Sequence, residues 1–295
     1  MPDQKIVIFA RFLNMEVFST IPSIRQYLKE FRNRKFRTGF VPTMGALHEG
    51  HLSLLRKCSS NNDLSVVSIY VNPTQFNDKN DLKNYPRNLN LDIKLLEKGG
   101  CHALFVPDDA EMYPSEDRRQ FNFGIMSSIM EGKYRPGHFN GVAQIVSKLF
   151  DAIMPDRAYF GQKDFQQLAI IRKLTTVLNY NIKIIGCPIV REPDGLAMSS
   201  RNTLLSAEQR MAAPSIYSTL LNVTKMIGES DIPTISSYVE NNINSNPFLT
   251  LEYFQIVDTQ TLQPLTSINP QKPCTACVAV YAGKVRLIDN IELIS

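Results

Sequence analysis

The sequence predicts an α/β fold with a parallel sheet, followed by a smaller α+β domain. Two observations support this prediction. Short runs rich in β-branched and aromatic residues alternate with helical patterns over the first two-thirds of the chain, and the alternation stops after about residue 190. Strands that alternate with helices indicate a parallel sheet covered on both faces. The chain has 295 residues, which is enough for one large or two modest domains with a sizeable core.

The first part of the chain contains the elements of the parallel sheet. Candidate strands lie at 36–43, 64–71, 102–107, 157–161 and 181–186. Helical patterns lie between them at 50–60, 88–98, 139–153 and 164–179. Apolar residues in the third helix keep the spacing of a buried face, namely Val142, Ile145, Val146, Leu149 and Phe150. A Rossmann-like sheet of this kind binds its ligands outside the carboxyl ends of the strands.

The pattern of elements changes after the sequence 187-CPIVREPDG-195, which contains two prolines and a glycine. Helical segments follow at 206–229 and 231–245, and strand-like runs follow at 249–258 and 276–289. Helices and then neighbouring strands are typical of an α+β domain. We therefore predict a first domain at 1–189 and a smaller α+β domain at 190–295.

Composition and charge exclude several classes of protein. The hydrophobic content of 43% and charged content of 20% are those of an ordinary globular protein. The net charge of +4 is mild and the basic residues are scattered, so nucleic acid is not a predicted partner. No apolar run reaches transmembrane length, and the run 6–13 is interrupted by Arg11 and lacks a signal-peptide cleavage site. We expect a cytoplasmic protein that binds neither membrane nor nucleic acid.

The five cysteines are an odd number and are widely spread, which favours a reducing compartment over a disulfide framework. Cys274 and Cys277 have the spacing of metal ligands, but the chain has no second pair to complete a tetrahedron. We interpret them as packed thiols on a strand at the sheet edge.

The sequence 44-MGALHEGH-51 is the first candidate for chemistry. It follows the candidate strand 36–43 and precedes an apolar helical run. A helix N-terminus offers unpaired backbone N–H groups and a partial positive charge, and Gly45 and Gly50 permit close approach by a ligand. His48 and His51 lie three residues apart and would project on one face of the first turn. Imidazoles placed there can donate hydrogen bonds to phosphate oxygens. The alternative is that a histidine near a helix start is only a cap or a surface residue.

Two further clusters carry candidate phosphate ligands. In 160-FGQKDFQQL-168, Lys163 follows a strand-like run and precedes a helix that Asp164 can cap. A lysine at the ligand edge of a sheet is suited to binding phosphate as a point charge, although most loop lysines are only solvated. In 197-AMSSRN-202, two hydroxyls and Arg201 could close over a triphosphate, but a Ser-Ser-Arg run alone is a weak signal.

These clusters, in this order, resemble the superfamily of nucleotidylyltransferases and class I aminoacyl-tRNA synthetases that shares a His-x-Gly-His signature. Within it, the chain is similar to the pantothenate synthetase (pantoate–β-alanine ligase) family. The similar stretches are PTMGALHEGH at 42–51, SIYVNPTQF at 68–76, YPR at 85–87, RPGHFNGV at 135–142, FGQKDFQQL at 160–168 and EPDGLAMSSRN at 192–202. The resemblance runs from about residue 17 to the C-terminus and is weakest in the last 90 residues.

The resemblance implies a two-step reaction in a cytoplasmic homodimer that uses ATP as co-substrate and Mg²⁺. Pantoate's carboxylate attacks the α-phosphorus of ATP to give pantoyl-adenylate and pyrophosphate, and the amine of β-alanine then displaces AMP to give pantothenate. The second domain is expected to close as a lid over the adenylate and to shield it from water.

The resemblance also implies the site residues. His51 would be the main proton or hydrogen-bond donor, with His48 and Lys163 assisting. Gln75 and Gln167 would line the substrate pocket, where neutral amides orient the nucleophilic carboxylate without quenching it. Asp92 is a candidate magnesium contact, but a place on the helix surface is the favoured role for it. The expected ATP-binding residues are Met44, Gly45, Ala46, Leu47, His48, Glu49, Gly50, His51, Gly161, Gln162, Lys163, Asp164, Val190, Met198, Ser199, Ser200 and Arg201.

Two other functions remain open from the sequence. Another nucleotidylyltransferase of the same superfamily, acting on a phosphate, would need extra Arg or Lys where this chain offers Gln75 and Gln167. A non-catalytic nucleotide-binding module could keep the glycine turn but would have no reason to hold His48, His51 and Lys163 together.

Overall fold

The computed structural model describes residues 14–294, and the chain folds as two compact units. The first unit extends from the start of the described residues to Phe121 and includes Gly137–Gly161 and Ile171–Cys187. The second contains Asn122–Pro136, Gln162–Ile170 and the chain from Pro188 onward. Both units are therefore discontinuous in sequence, and the boundary expected near residue 190 stays a prediction.

A six-stranded sheet forms the centre of the first unit. Its strands are β1 Glu16–Phe18, β2 Thr38–Thr43, β3 Leu64–Ile69, β4 Ala103–Phe105, β5 Arg157–Gly161 and β6 Lys183–Cys187. They lie in the order β1-β4-β3-β2-β5-β6, and every neighbouring pair is parallel. All six residues of β3 are buried, as expected for a strand whose sheet is covered on both faces. The predicted fold class is confirmed.

The helices follow the strands in the predicted alternation. Through the first two-thirds of the described chain they are α1 Ile21–Asn33, α2 Glu49–Asn61, α3 Lys79–Asn84, α4 Leu89–Lys98, α5 Asp109–Met112, α6 Glu131–Tyr134, α7 His138–Ile153 and α8 Phe165–Val177. Nearly every residue of α7 is buried, which agrees with its predicted apolar face. The short strand β1 and the helix α1 continue the same alternation at the start of the described chain.

The strand order reverses between β2 and β5. From β2 the chain adds β3 and β4 on one side, and it then returns to place β5 and β6 on the other. Such a reversal is the position where parallel sheets bind ligands at their carboxyl edge. The motif 44–51 directly follows β2, and Gly161 ends β5. Topology therefore places the predicted histidine motif at the switch point of the first unit.

The second unit contains an antiparallel sheet in the order β7-β8-β9. Its strands are β7 Leu249–Asp258, β8 Cys274–Ala282 and β9 Val285–Ile294, and its further helices are α9 Ala207–Ala212, α10 Ser215–Met226 and α11 Ile232–Asn244. The helices bury apolar residues such as Ile216, Leu220, Ile235 and Val239 against one face of the sheet.

The structure corrects two predicted segments of the second unit. The helical segment expected at 206–229 is two helices, because Pro214 lacks the backbone N–H that a continuous helix needs. The strand-like run expected at 276–289 is a hairpin that turns at Gly283, whose φ of 60° suits glycine. No helix within residues 14–294 is long and apolar enough to cross a membrane.

Candidate active site

The turn that joins β2 to α2 has an unusual backbone conformation. Gly45 has a φ of 80° and Ala46 a φ of 49°, and a left-handed conformation is uncommon for a residue with a Cβ. The backbone N–H of Gly45 donates to Thr43 Oγ1 over 3.2 Å, and that hydroxyl donates to the carbonyl of Ser68 in β3 over 2.7 Å. These two hydrogen bonds link the first part of the turn, ahead of His48 and His51, to the neighbouring strand β3.

The buried carboxylate of Asp92 in α4 holds this turn from the other side. Its Oδ2 accepts the N–H of Ala46 over 2.9 Å, and its Oδ1 accepts the N–H of Leu47 over 2.8 Å. The residue is only 2% exposed, so the favoured prediction of a helix-surface role is wrong. Burial raises the pKa of Asp92, while the two backbone hydrogen bonds act in the opposite direction. Charge-assisted bonds of this kind compensate a strained backbone.

The two histidines lie at the start of α2, and each ring accepts a backbone N–H there. His48 is the N-cap, and its Nδ1 accepts the N–H of Gly50 over 3.1 Å. The Nδ1 of His51 accepts the N–H of His48 over 3.3 Å. The ring centroids lie 4.1 Å apart. Because a backbone N–H can only donate, each neutral ring carries its proton on Nε2. The local structure therefore selects the tautomer in which Nε2–H is the hydrogen-bond donor.

Gln75 lies beside the histidine motif in the first unit. It ends a short 3₁₀ turn, Pro73–Gln75, and is only 8% exposed, so it is not a surface loop residue. Its Oε1 accepts from Asn72 Nδ2 over 3.2 Å, and its Nε2 contacts Met44 Sδ at 3.2 Å. The amide orientation is thus fixed with the NH₂ group toward the motif 44–51. That orientation suits a carboxylate or hydroxyl acceptor.

Two residues that the sequence analysis did not select support Gln75. Asn72 is 1% exposed, donates to the carbonyl of Gly141, and accepts from the hydroxyl of Tyr113 over 2.7 Å. His138 is buried, and its Nδ1–H donates to the backbone carbonyl of Gln75 over 2.8 Å. Both lie in stretches that carry the family resemblance, SIYVNPTQF and RPGHFNGV. No local pattern indicates that they support the same residue, because they are 66 positions apart (138 − 72).

In the second unit, Lys163 lies in the turn that precedes α8. Its side chain is half-buried. The carbonyls of Gln162 and Lys163 both accept from Asn290 Nδ2, over 2.9 Å and 3.0 Å. Asp164 occupies the position before α8, and its carbonyl accepts the N–H of Leu168. An amide that β9 contributes therefore holds the backbone of the turn that carries Lys163.

The loop that ends in Ser199–Arg201 is also held by β9. The N–H of Met198 donates to the carbonyl of Val190 over 3.0 Å, which closes a short hairpin-like loop. Arg191 within this loop makes a bidentate pair with Asp289, with Nη–Oδ distances of 2.6 Å and 3.0 Å. Ser199 caps the 3₁₀ turn Ser200–Leu204 by accepting the N–H of Arg201. These contacts hold the backbone that carries the hydroxyls of Ser199 and Ser200 and the guanidinium of Arg201.

The two glutamines in the first turns of α8 differ in environment. Gln166 is 3% exposed, accepts the N–H of Glu131, and donates to the carbonyls of Met126 and Ile129. Gln167, the predicted substrate residue, is half-buried, and its side chain makes no hydrogen bond to another residue within 14–294. Gln166 therefore fastens the segment 126–131, and Gln167 is the glutamine available to a ligand.

The predicted site residues divide between the two compact units. The first unit contains Met44–His51, Gln75, Asp92 and Gly161, and the second contains Gln162–Asp164, Gln167, Val190 and Met198–Arg201. The predicted roles of these residues stay predictions. Sequence reasoning missed the residues that brace them, namely Asn72, His138, Arg191, Asp289 and Asn290.

The residues offer little for a protein-held metal ion. Both oxygens of Asp92 already accept backbone N–H groups. Among the described residues, no group of three or more His, Cys, Asp or Glu side chains is arranged to hold a metal. The magnesium role of Asp92 stays a prediction that this hydrogen bonding does not support.

Comparison with known proteins agrees with the motifs. The family model described as pantoate-beta-alanine ligase matches residues 16–292. The pantothenate synthetase of Bacteroides thetaiotaomicron is 51% identical over 278 residues, which cover 94% of this chain and 99% of that protein. The pantothenate synthetase of Porphyromonas gingivalis is 47% identical over 279 residues, with the same coverage.

Solved structures show the same similarity. The pantothenate synthetase of Thermus thermophilus superposes with a TM-score of 0.88 at 39% identity, covering 95% of this chain and 100% of that one. The pantoate-beta-alanine ligase of Francisella tularensis, solved in complex with beta-gamma ATP and beta-alanine, gives a TM-score of 0.78 at 36% identity and covers 95% and 98% of the two chains. With a family match over nearly all of the described residues, the chain belongs to the pantoate–β-alanine ligase family.

Proposed function

We propose that this chain condenses pantoate with β-alanine at the expense of ATP, through a pantoyl-adenylate. In the first step a carboxylate oxygen of pantoate bonds to the α-phosphorus and the bond to pyrophosphate breaks. In the second step the β-alanine nitrogen bonds to the acyl carbon, loses a proton, and AMP leaves. Family membership and the ligands of the Francisella tularensis relative support the reaction.

The observation that carries the proposal is the paired backbone hydrogen bonding of His48 and His51. Pantoate needs no base, because an ordinary carboxylic acid has a pKa of about 4 and is ionised at neutral pH. Catalysis must instead stabilise the negative charge that builds on the phosphoryl oxygens and on the leaving pyrophosphate. Two Nε2–H donors at a helix N-terminus meet that need. A preset tautomer requires no reorganisation when the charge appears.

The other predicted site residues bind the phosphates, pantoate or the nucleoside. Lys163 and Ser199–Arg201 supply cationic and hydroxyl groups for the phosphates, and Gln75 and Gln167 orient pantoate. Gly161, Asp164 and Val190 contact the nucleoside. Mg²⁺ enters with ATP as part of the co-substrate, coordinated mainly by phosphate oxygens, since magnesium uses few protein ligands at such sites.

We also propose a cytoplasmic homodimer. The five free, buried cysteines fit a reducing compartment. The dimer rests on the family resemblance, and light scattering of the purified chain after size-exclusion chromatography would measure the mass of the assembly directly.

The test is pantoate-dependent exchange of labelled pyrophosphate into ATP. We expect exchange only when pantoate is present, and we expect His51→Ala and Lys163→Ala each to lower its rate by roughly 100-fold, the size of effect seen when one oxyanion donor is removed. Exchange without pantoate, or at the full rate in both variants, would contradict the proposal. Asn222→Ala, an exposed change in α10, serves as the control.

A further inference from the structure

The strand β9 carries two adjacent buried polar residues, Asp289 and Asn290, near its centre. Asp289 is 5% exposed and Asn290 is 7% exposed, and their register partners on the central strand β8 are Val278 and Cys277. A buried carboxylate or amide costs free energy unless it is fully hydrogen-bonded. The run 286-RLIDN-290 carries no local sign of such a purpose, so the partners of these two side chains decide what they do.

Asn290 uses its amide on the Lys163 turn. The two hydrogens of Nδ2 go to the carbonyls of Gln162 and Lys163, over 2.9 Å and 3.0 Å. Both carbonyls belong to a turn that has left the strand β5 and has not yet entered α8. Two hydrogen bonds to consecutive carbonyls fix the peptide plane between the two residues. The Cα–Cβ direction of Lys163 is fixed with it.

Asp289 braces the other phosphate-directed loop. Its carboxylate holds the guanidinium of Arg191, which also donates to the carbonyl of Gly195 over 3.1 Å and lies 3.5 Å from the ring centre of Tyr217. Burial raises the pKa of Asp289, and the charge of Arg191 opposes that shift. Two neighbouring residues of one strand therefore contact both segments: Asn290 binds the backbone of the Lys163 turn, and Asp289 binds the side chain of Arg191 in the 190–201 loop.

We propose that Asn290 is a positioning residue for the reaction, acting through Lys163. This inference rests on the proposed role of Lys163 at the ATP phosphates. The ammonium of lysine is a point charge on a flexible four-carbon stem, so its effect on a phosphate depends on where the stem begins. A displacement of about 1 Å in a group that stabilises a transition state can cost on the order of 100-fold in rate. Asn290 prevents that displacement by holding the two carbonyls.

The alternative is that Asn290 only stabilises the fold of the second unit. The two roles differ in their coupling to Lys163. If Asn290 acts through the lysine, its removal has little further effect once the lysine has gone. If it acts only on stability, the two changes are independent and their effects multiply.

The experiment is a double-mutant cycle on the full chain with Asn290→Ala and Lys163→Ala. The readouts are the rate of pantoate-dependent pyrophosphate exchange at saturating substrates and the dissociation constant of ATP measured by calorimetry. We expect Asn290→Ala alone to lower the rate by about 10-fold or more without raising the KM for pantoate. In the Lys163→Ala background, we expect the same change to alter the rate and the dissociation constant less than about 2-fold.

The calorimetric cycle is readable even where turnover is too slow to follow. Asn290→Ser, which keeps a single donor at this position, replaces Asn290→Ala if the latter fails to fold, and we expect a smaller loss in the same cycle. Independent, multiplying effects in the two backgrounds, or a folded Asn290 variant with the wild-type rate, would overturn the positioning role. Absence of pantoate-dependent exchange in the wild-type chain would instead overturn the proposed function. The two failures are thus distinguishable.

Discussion

At the scale of single residues, the chemistry of the site depends on which side-chain atoms already form hydrogen bonds within the protein. The sequence predicts that His48 and His51 start a helix, and it cannot predict that each would use Nδ1 on a backbone N–H. That use follows from the N-cap geometry, which places a side-chain acceptor over the first orphan N–H groups. The hydrogen bonds at Nδ1 that cap the helix therefore also place the proton of each neutral ring on Nε2, which makes Nε2–H the donor.

A substitution of Asp92 tests how strongly the reaction depends on the hydrogen bonds that hold the turn 44–47. In Asp92→Asn, an NH₂ group replaces one of the two oxygens that accept the N–H groups of Ala46 and Leu47, and a buried unsatisfied donor costs about 1–3 kcal/mol. We expect the strained turn to relax and the maximal rate of pyrophosphate exchange to fall on the order of 10-fold. Steady-state kinetics across a magnesium titration is the measurement.

The magnesium titration separates the two roles open to Asp92. A residue that holds the turn leaves the magnesium concentration for half-maximal rate unchanged, whereas loss of a metal ligand raises it. Glu97→Gln is the matched control, since Glu97 is exposed on the same helix. A wild-type rate combined with a raised magnesium requirement would show that Asp92 is a metal ligand and not a turn anchor.

At the scale of elements, periodicity predicted the existence of most helices and strands but not their interruptions. The parallel strands and the helix α7 follow from apolar runs and from 3.6-residue spacing. The break at Pro214 and the hairpin turn at Gly283 were missed, although proline and glycine are the residues that cause them. Each of the two stood inside a long pattern that looked continuous. The contacts of Asn72 and His138 were missed for another reason, because tertiary contacts have no local signal.

An ion pair connects the segment between α5 and α6 to the helix α7. Asp117, whose side chain is 5% exposed, accepts from Arg119 over 2.6 Å and pairs with Lys148 of α7 at 3.3 Å. Hydrogen bonds from Arg119, with a smaller contribution from Lys148, hold the pKa of Asp117 well below its usual value. Burial acts in the opposite direction and raises that pKa. A depressed pKa in the folded state means that the contribution to stability is present above the unfolded pKa of about 3.9 and is lost as the pH falls toward the folded one.

We therefore expect Asp117→Asn to lower the free energy of unfolding by about 1.5–3 kcal/mol at pH 7, the range for hydrogen bonds to charged groups. The difference from wild type should be the same at about pH 5 and should shrink below about pH 4. Denaturant titrations at several pH values measure it. Glu116→Gln is the control, because the exposed pair of Glu116 with Arg118 should contribute less than about 1 kcal/mol. A gap that stays constant down to about pH 3 would contradict the charge argument.

At the scale of the whole molecule, the predicted site residues divide between two units that are discontinuous in sequence. The motifs are readable because glycine, histidine, lysine and hydroxyl residues carry their chemistry locally. Their supports are not readable, because Asn290 lies 127 positions from Lys163 (290 − 163), and nothing in a run of strand residues marks a partner so far away. For this chain, the sequence predicts which residues carry the chemical groups, and the structure shows which distant residues hold their backbone in place.

The cysteines are also distributed over the whole molecule. Cys274 and Cys277 are three residues apart on β8 and so point to opposite faces of the sheet. Cys274 packs with the helices, and Cys277 packs with Met130, Ala169 and Val257. They are free and buried, like the other three, which confirms packed thiols, although β8 is the central strand and not an edge.

This burial predicts how the thiols react. Desolvation raises the pKa of Cys101 to about 12 and also raises that of Cys58 and Cys277, and only the thiolate is nucleophilic. Reaction in the folded protein must therefore wait for local opening. With an excess of a disulfide reagent, we expect slow labelling of the native chain and reaction of all five thiols on unfolding without reductant. Fast labelling of one thiol before unfolding would contradict the burial, and fewer than five reactive thiols after it would reveal a disulfide.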